Sequence, residues 1–535
     1  MGLVAGRVFV NGRFYTLDAE SSITEAVAVQ DGRVFATGTT ADIRRLAACD
    51  REIVDVGGRA VIPGLTDSHL HMLSFGQSLR RVNLSQVKSI AEMKRIVAER
   101  VKTAPRGGWV FGRGWDQDRL AEFRYPTRHD LDEVSPENPV VLTRSCGHIV
   151  VANSKALQIA GLDETTPDPA GGVIDRDERG RPTGILREAS GLLFRSVPEP
   201  GFDELLSCLR DAMRAATAAG LTSVHANDGA NNDSTLIQEL YSRLHGEGER
   251  LRVYWDIPQQ FADDVFRTGL RSGSGNEFFK HGSLKLFIDG SLGGKTAALD
   301  GSYADDPGNE GVLRMSEHEL TEIVERAHRA GMQVAIHAIG DKGIRYSLDA
   351  IEKAQAACPR RDPRHRIVHC QIMTAEQYPR FQRLGVVADI QPKFVTTDML
   401  WAERRVGPEK ARTSYCWKTF LDAGVHIAGG SDCPVEPVHP MKGIYAAVTR
   451  KDMEGMPAGG WMPEQKLTVA QAIRLFAQGG PYASFEENLK GSLECGKMAD
   501  MVVLSEDPFK VRPEAIKDIK PLLTIIGGEI AYDGR

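Results

Sequence analysis

Two histidines separated by one residue close the run Ala60-Val61-Ile62-Pro63-Gly64-Leu65-Thr66-Asp67-Ser68-His69-Leu70-His71. A strand turns alternate side chains to opposite faces, so His69 and His71 point one way and Leu70 the other. Two imidazoles placed like this can hold one metal ion from one side. Alone, such a pair is more often just two polar residues beside a loop. More candidates stand at the ends of later apolar runs. Val334-Ala335-Ile336-His337, Ile367-Val368-His369 and Gly429-Gly430-Ser431-Asp432 each finish on a group able to bind a cation. In Leu284-Lys285-Leu286-Phe287-Ile288-Asp289, alternation puts Lys285, Phe287 and Asp289 on the face opposite the leucines and isoleucine. A lysine turned inward is costly unless it is paired or neutralised. Two readings are open for Lys285. One is a buried ion pair, with Asp289 as the near partner. The other is a carbamate formed with carbon dioxide, an anion able to bridge two cations.

A single histidine at a strand end is usually a hydrogen-bonded structural residue. Polar groups in one layer of five separate strands are poorly explained as coincidence. Neutral imidazoles with carboxylates suit one or two divalent ions, zinc first, with manganese, iron or nickel as alternatives. Two metals sharing a water would lower its pKa to about 7. Asp432 can take that water's proton and return it to a leaving group. No Gly-x-Ser-x-Gly elbow, no P-loop and no Gly-x-Gly-x-x-Gly between a strand and a helix is found, so serine-nucleophile and nucleotide chemistry have no motif to rest on.

The elements that must position these residues follow from the pattern. The 535 residues exceed what one core holds. Eight apolar runs, at 61–71, 221–227, 251–257, 283–289, 332–338, 366–371, 385–391 and 425–432, alternate with helical stretches. This predicts an α/β fold, a distorted TIM (β/α)8 barrel with its site at the C-terminal strand ends. The barrel would span 61–74 and 196–484. Short strands and turns fill 1–60. There Arg7-Val8-Phe9-Val10 meets Asn11-Gly12, and Ala26-Val27-Ala28-Val29 leads to Asp31-Gly32, both hairpin signals. Residues 485–535 have the same texture, and pairing the two ends makes one composite β-sandwich. The stretch 75–195 is too long for a connection and predicts an inserted α/β subdomain, a lid or pocket wall.

Secondary candidates lie around this set. His148 could donate to a substrate carbonyl, or simply stabilise its loop. Trp115 and Asp116 could line a pocket, although a large aromatic more often packs in a core. Phe287 and Asp289 face inward by strand parity and are expected near substrate. Met399, Trp401 and Trp417 follow the seventh strand and could wall the barrel mouth or pack in the core. His225 could face the site from the second strand.

Composition bounds the rest. The chain is 41% apolar and 26% charged, with a formal charge of -6, so no basic stripe points to nucleic acid. No apolar stretch suits a bilayer span, and the N-terminus has no basic segment followed by a long apolar core. Eight cysteines without a Cys-x-x-Cys fit reduced thiols in the cytoplasm. Cys146, Cys370 and Cys433 are expected to be small buried apolar residues. The expected partner is a small-molecule substrate, with no membrane and no nucleic acid, and a homo-oligomer by analogy with other barrels.

The motifs as a set resemble the amidohydrolase superfamily, and within it the YtcJ-like branch (amidohydrolase family 3), which includes N-substituted formamide deformylase. The resemblance rests on the run from Val61 to His71, Gly114-Trp115-Asp116, Gly147-His148, Ala152-Asn153-Ser154-Lys155, the run from Lys285 to Gly293, Ile336-His337-Ala338-Ile339-Gly340-Asp341, Gly430-Ser431-Asp432-Cys433-Pro434-Val435 and Gly496-Lys497-Met498-Ala499-Asp500. It implies a metal-dependent hydrolase of a C–N bond in an N-acyl or N-formyl substrate. Hydrolysis of an ester, carbamate or cyclic imide, and a non-catalytic metal-binding scaffold, are the alternatives. The resemblance implies His69 and His71 on the more buried ion, His337 and His369 on the outer one, carboxylated Lys285 between them, and Asp432 as both ligand and base. Gly294-Lys295, where relatives often carry Ser-Arg, departs from the pattern beside a substrate contact.

Overall fold

The computed structural model describes residues 6–47, 53–145, 148–169, 171–229 and 233–535. The expectations placed on Met1 to Ala5 and on Cys146 and Gly147 lie outside the described residues. The chain divides into two compact units, Met1–Phe75 with Leu209–Arg535, and Gly76–Cys208.

The first unit is built on eight parallel strands in one sheet: β1 (Leu65–Leu70), β2 (Leu221–Ala226), β3 (Arg252–Pro258), β4 (Phe279–Phe287), β5 (Val334–Ala338), β6 (Arg366–His369), β7 (Val387–Ile390) and β8 (Ile427–Gly429). Neighbours in sequence are neighbours in space, and the sheet curls into a nearly closed barrel. Its seam is closed by backbone beyond the strands. The Asp432 N–H donates to His69 O at 2.7 Å and the His71 N–H to Cys433 O at 2.8 Å. The buried Asp67 carboxylate accepts from the Ser431 N–H at 3.0 Å. Helices fill the connections as the 3.6-residue period predicts. Glu317–Arg329 begins with a Ser316/Glu319 capping box and buries Leu320, Val324, Ala327 and His328, one stripe facing the barrel. Asp341–Ala357 starts one turn earlier than its apolar pattern, directly after β5.

Two expectations for the first strands are corrected. The run 61–71 is not one strand. Ala60–Pro63 belongs to a six-stranded sheet, where it pairs with Arg13–Tyr15 and, antiparallel, with Met501–Leu504. Gly64 is the joint to β1. A Cβ there would stand 2.2 Å from Thr222 Oγ1, so only glycine allows the close approach. Nor does Asn11-Gly12 close a hairpin. Arg7–Val10 pairs with Ala26–Gln30 and Ile53–Asp55 in a four-stranded sheet, while Arg13–Tyr15 lies in the six-stranded one. Asn11, at φ 56°, turns the chain from one sheet to the other, so that Phe9 and Phe14 both enter the core between them. Asp31-Gly32 does join the antiparallel pair Ala26–Gln30 and Arg33–Gly38. Residues from both ends of the chain, including Val61, Met501, Val503 and Ile525, share that core.

The second unit holds a six-stranded mixed sheet, from Val82–Asn83 to Pro182–Arg187, around Val110, Trp115, Val140, Leu142 and Val151. It ends at Cys208 rather than at 195, and Arg80 Nη2 donates to Ser207 Oγ at 2.6 Å within it. Among the described residues no helix is long and apolar enough to cross a membrane.

Inside the barrel, β6 turns Arg366 inward, fully buried, between Asp256 of β3 and Asp389 of β7. Nη1 reaches Asp256 Oδ2 at 3.0 Å, Nε reaches Asp389 Oδ2 at 3.1 Å, and Nη2 donates to Ser68 O at 2.6 Å. Ser68 Oγ donates to Asp389 at 2.6 Å, and Ser283 of β4 donates to Asp256. One guanidinium thus ties five of the eight strands. Breaking such a buried group from one side leaves uncompensated charge, at a cost of about 3–5 kcal/mol. Arg366→Met is therefore expected to lower the unfolding free energy by about that amount. Denaturant titration measures it; an unchanged midpoint would show the two aspartates to be neutral without their partner.

Candidate metal centre

The four histidines and Asp432 meet at the C-terminal end of the barrel. His69 lies at the end of β1 and is fully buried; His71 follows one residue past the strand and is about one-third exposed at its side chain. Asp432 Oδ1 stands 3.4 Å from Nε2 of His69 and 3.2 Å from Nε2 of His71. The His369 ring lies 5.3 Å from His69 and 4.4 Å from His337, centre to centre. His69, His369 and Asp432 offer ligand atoms within 4.8 Å of one another. The local backbone is bent to aim them: His369 has φ 83°, Cys370 49° and Asp432 57°, left-handed values that cost non-glycine residues about 1–3 kcal/mol each.

Electrostatics keep most of the rings neutral. Burial holds His69 and His369 well below the ordinary imidazole value, helped next by the Lys285 charge at His69 and by His337 and then Lys285 at His369. Burial and then the Lys285 charge bring His337 to about 3. His71 goes the other way: burial pulls it down, but the Asp432 carboxylate outweighs that and raises it. Burial brings the Lys285 ammonium down to about 8, against the upward pull of Asp256 and Asp432. The His337 Nε2 stands 3.1 Å from Gly290 O, which can only accept, so the hydrogen is on Nε2 and the lone pair on Nδ1. The His369 Nδ1 lies 2.6 Å from Gln391 Oε1.

These residues fit a divalent cation. Asp432 Oδ1 is buried and has no hydrogen bond, although two imidazole nitrogens face it. Lys285 Nζ is likewise buried without a partner, 5.0 Å from the centre of the Phe287 ring. Electron-pair donors gathered in this way repel one another, and a positive ion among them removes the conflict. Beneath them, one arginine between two aspartates leaves one formal negative charge, which favours cations above.

The remaining expectations divide. Phe287 lines the barrel mouth, its ring 5.3 Å from that of His337. Asp289 is taken up by backbone donors, and its Oδ1 lies 3.5 Å from His337 Nε2. Strand β4 ends at Phe287, so strand alternation no longer sets the direction of Asp289. The Asp289 carboxylate is fully buried and accepts from the N–H groups of Ala298 at 3.0 Å, Ile339 at 3.1 Å and Gly340 at 2.8 Å. It clamps two loops, and it is not the partner of Lys285. Trp401 packs over the loop after β4, where a methyl group on Gly293 would touch its ring at 3.7 Å. Met399 is half-buried, and Trp417 is in the core beneath Arg450, whose guanidinium lies 4.9 Å from its ring. His225 is buried lower in the barrel against Tyr254, outside the ligand group. Lys295 is held in its own loop by Asp305 and Asp306. Cys370 and Cys433 are buried as expected.

Three candidates belong to the second unit. Trp115 is not a pocket wall: it is wholly inside that unit's core, and its indole N–H donates to Leu142 O at 3.0 Å. Asp116 binds Arg144 at 2.8 Å and caps the turn Gln117–Arg119. His148 is exposed and its Nδ1 lies 3.0 Å from Glu188.

Sequence reasoning missed Asn227, Gln391, Asp67, Asp256, Arg366 and Asp389. The last three carried a readable signal, since each is a charged residue inside an otherwise apolar strand.

Comparison with known proteins gives four findings. The profile described as the amidohydrolase family matches residues 52–532. The chain is 34% identical over 531 residues to "Putative amidohydrolase YtcJ" of Bacillus subtilis (strain 168), covering 98% of this chain and 99% of that one. It is 29% identical to N-substituted formamide deformylase of Arthrobacter pascens, over 98% of each chain. Among solved structures, an uncharacterized metal-dependent hydrolase from Pyrococcus furiosus superposes with a TM-score of 0.77 at 31% identity, covering 94% of this chain and 100% of that one.

A ligand bound only by the folded state stabilises it by about 2.7 kcal/mol at a hundred times its dissociation constant. Zinc or manganese added to chelator-treated protein should therefore raise the thermal midpoint, with Asp432→Ala losing most of the gain. Differential scanning calorimetry tests this, and equal midpoints with and without every divalent ion would remove the metal centre.

Proposed function

The chain belongs to the amidohydrolase family, and from that premise we propose that it is a metal-dependent hydrolase cleaving the C–N bond of an amide-like, N-acyl or N-formyl, substrate. The observation that carries this reading is the convergence of His69, His71, His369 and Asp432, with Lys285 buried and unpartnered beside them. The deformylase among the relatives supports the N-formyl class. His69, His71, His337, His369, Asp432 and carboxylated Lys285 would hold one or two ions, zinc first, with manganese, iron or nickel as alternatives. A divalent ion held there supplies a water with a pKa near 7 and polarises a carbonyl.

The chain's own residues do the rest. With its ammonium brought down to about 8, Lys285 is partly neutral near pH 7. Its amine nitrogen can then form a bond to the carbon of carbon dioxide and release one proton, which leaves an anionic carbamate. Asp432 accepts the proton of the attacking water and passes it to the departing nitrogen, so the amine leaves neutral. Phe287 offers an apolar face at the mouth, against which a substituent of the substrate can pack. The setting is a reducing cytoplasm, in keeping with the absence of any disulfide among the six described cysteines.

Two substitutions test these roles. Asp432→Asn should lower kcat by about 10²–10⁴-fold, the range for loss of a positioned base. Wild-type turnover in that variant would take Asp432 out of the role. Lys285→Ala should lose activity and regain part of it with acetate or propionate. Full activity and metal content without rescue would exclude a bridging carbamate. A screen of N-formyl, N-acetyl, carbamate and ester substrates on the metal-loaded protein fixes the bond; turnover of esters alone would redirect the assignment.

A further inference from the structure

One residue outside the ligand set touches two of its members at once. Asn227 follows β2 directly, and its N–H donates to Leu70 O at 2.8 Å. Its own carbonyl oxygen lies 3.0 Å from His71 Nδ1, and its side-chain amide lies 2.9 Å from His69 Nδ1. The next residue is anchored in turn. The Asp228 carboxylate accepts from the Leu73 N–H at 2.9 Å and the Tyr241 hydroxyl at 2.6 Å, and Asp228 O accepts from the Trp255 indole at 2.9 Å. Asn227 is therefore fixed on both sides, between the strand that bears the paired imidazoles and the neighbouring barrel wall.

A neutral imidazole has one N–H and one lone pair, and its partners decide which nitrogen has which. A carbonyl oxygen can only accept. Against Asn227 O, His71 must carry a hydrogen on Nδ1, so in its neutral, metal-binding form the lone pair is on Nε2. His69 faces an amide, whose oxygen and nitrogen ends are assigned from the surrounding hydrogen bonds. With the amide nitrogen toward His69, Nε2 would carry the hydrogen, yet Asp432 Oδ1, 3.4 Å from it, receives no hydrogen bond. Meanwhile Asn227 Oδ1 is buried with no donor. Turning the amide over brings Oδ1 onto a His69 Nδ1–H. Both imidazoles then present Nε2 lone pairs toward the same carboxylate oxygen.

We infer that Asn227 is a positioning residue. Its backbone carbonyl sets the tautomer of His71 and its side-chain oxygen that of His69, so that two nitrogens are ready to bind a cation before it arrives. This rests on the metal reading of the same site, but the tautomers are a property of the metal-free protein. Partners of this kind, when removed, typically cost about 10–100-fold in metal affinity.

The experiment has two arms. In metal-free wild-type protein labelled with ¹⁵N-histidine, two-bond ¹H–¹⁵N correlation spectra should show His69 and His71 both protonated on Nδ1, with assignments from His69→Gln and His71→Gln. A hydrogen on Nε2 of His69 overturns the inference whatever the metal does. In the second arm, zinc affinity is measured by chelator competition. Asn227→Leu should weaken it about 10–100-fold, while Asn227→Asp, which keeps an oxygen against Nδ1, should restore it. Equal affinity in wild type and Asn227→Leu would also overturn the inference. Failure of the wild type to bind any divalent ion, with the tautomers as stated, would instead count against the metal reading. If Asn227→Leu does not fold, the wild-type spectra still decide.

Discussion

The geometry of the centre depends on one buried cation, the Arg366 guanidinium held by Asp256 and Asp389 inside the barrel. Desolvating three charges is expensive, and a well-packed apolar layer would often be as stable. The arrangement nevertheless fixes the relative heights of five strands through hydrogen bonds of defined direction, which side-chain packing alone does less sharply. The ligand layer sits on that floor. A shift of one strand would move one imidazole away from the others, and ligand distances tolerate little error.

Above the floor, the chain accepts unfavourable conformations to aim its donors. The left-handed backbone at His369, Cys370 and Asp432 lies where strands end and loops begin. Asp432 N and His71 N each bond across the seam between the first and last strands. The same residues that close the barrel therefore carry the chemistry. Strain and function coincide because the backbone must leave the sheet to turn these side chains over the barrel mouth.

Much of this was legible in the sequence, for a physical reason. Strand parity relates residues two apart, so His69 with His71 and Lys285 with Phe287 could be placed on common faces without a structure. The eight apolar runs could be read as parallel strands because burial on both sides removes polar alternation. What parity cannot supply is where a strand ends. The run 61–71 reads as one strand because Gly64 is a joint only in the presence of Thr222. Asp289 lies past the end of β4 and is held by the backbone of two loops. Trp115 sits beside a polar motif, but its indole is spent inside its own unit. Asp256, Arg366 and Asp389 were visible as charges in apolar strands, yet their mutual pairing spans more than a hundred residues of chain. Asn227 gave no signal at all, since half of its role is played by a backbone oxygen.

The strand Ala60–Pro63 leads through Gly64 straight into the strand that bears His69. One of its edges is covered by Arg13–Tyr15, synthesised before it, and the other by Met501–Leu504, near the end of the chain. Until Met501–Leu504 has been made, that second edge lacks its neighbour. A nascent chain that has folded this strand carries an open, apolar β-edge until residues 501–504 emerge, a template for pairing with other chains. Completion of the sheet that leads into the centre thus waits for residues more than four hundred positions later, and the yield of active protein should depend on whatever shields that edge in the interval.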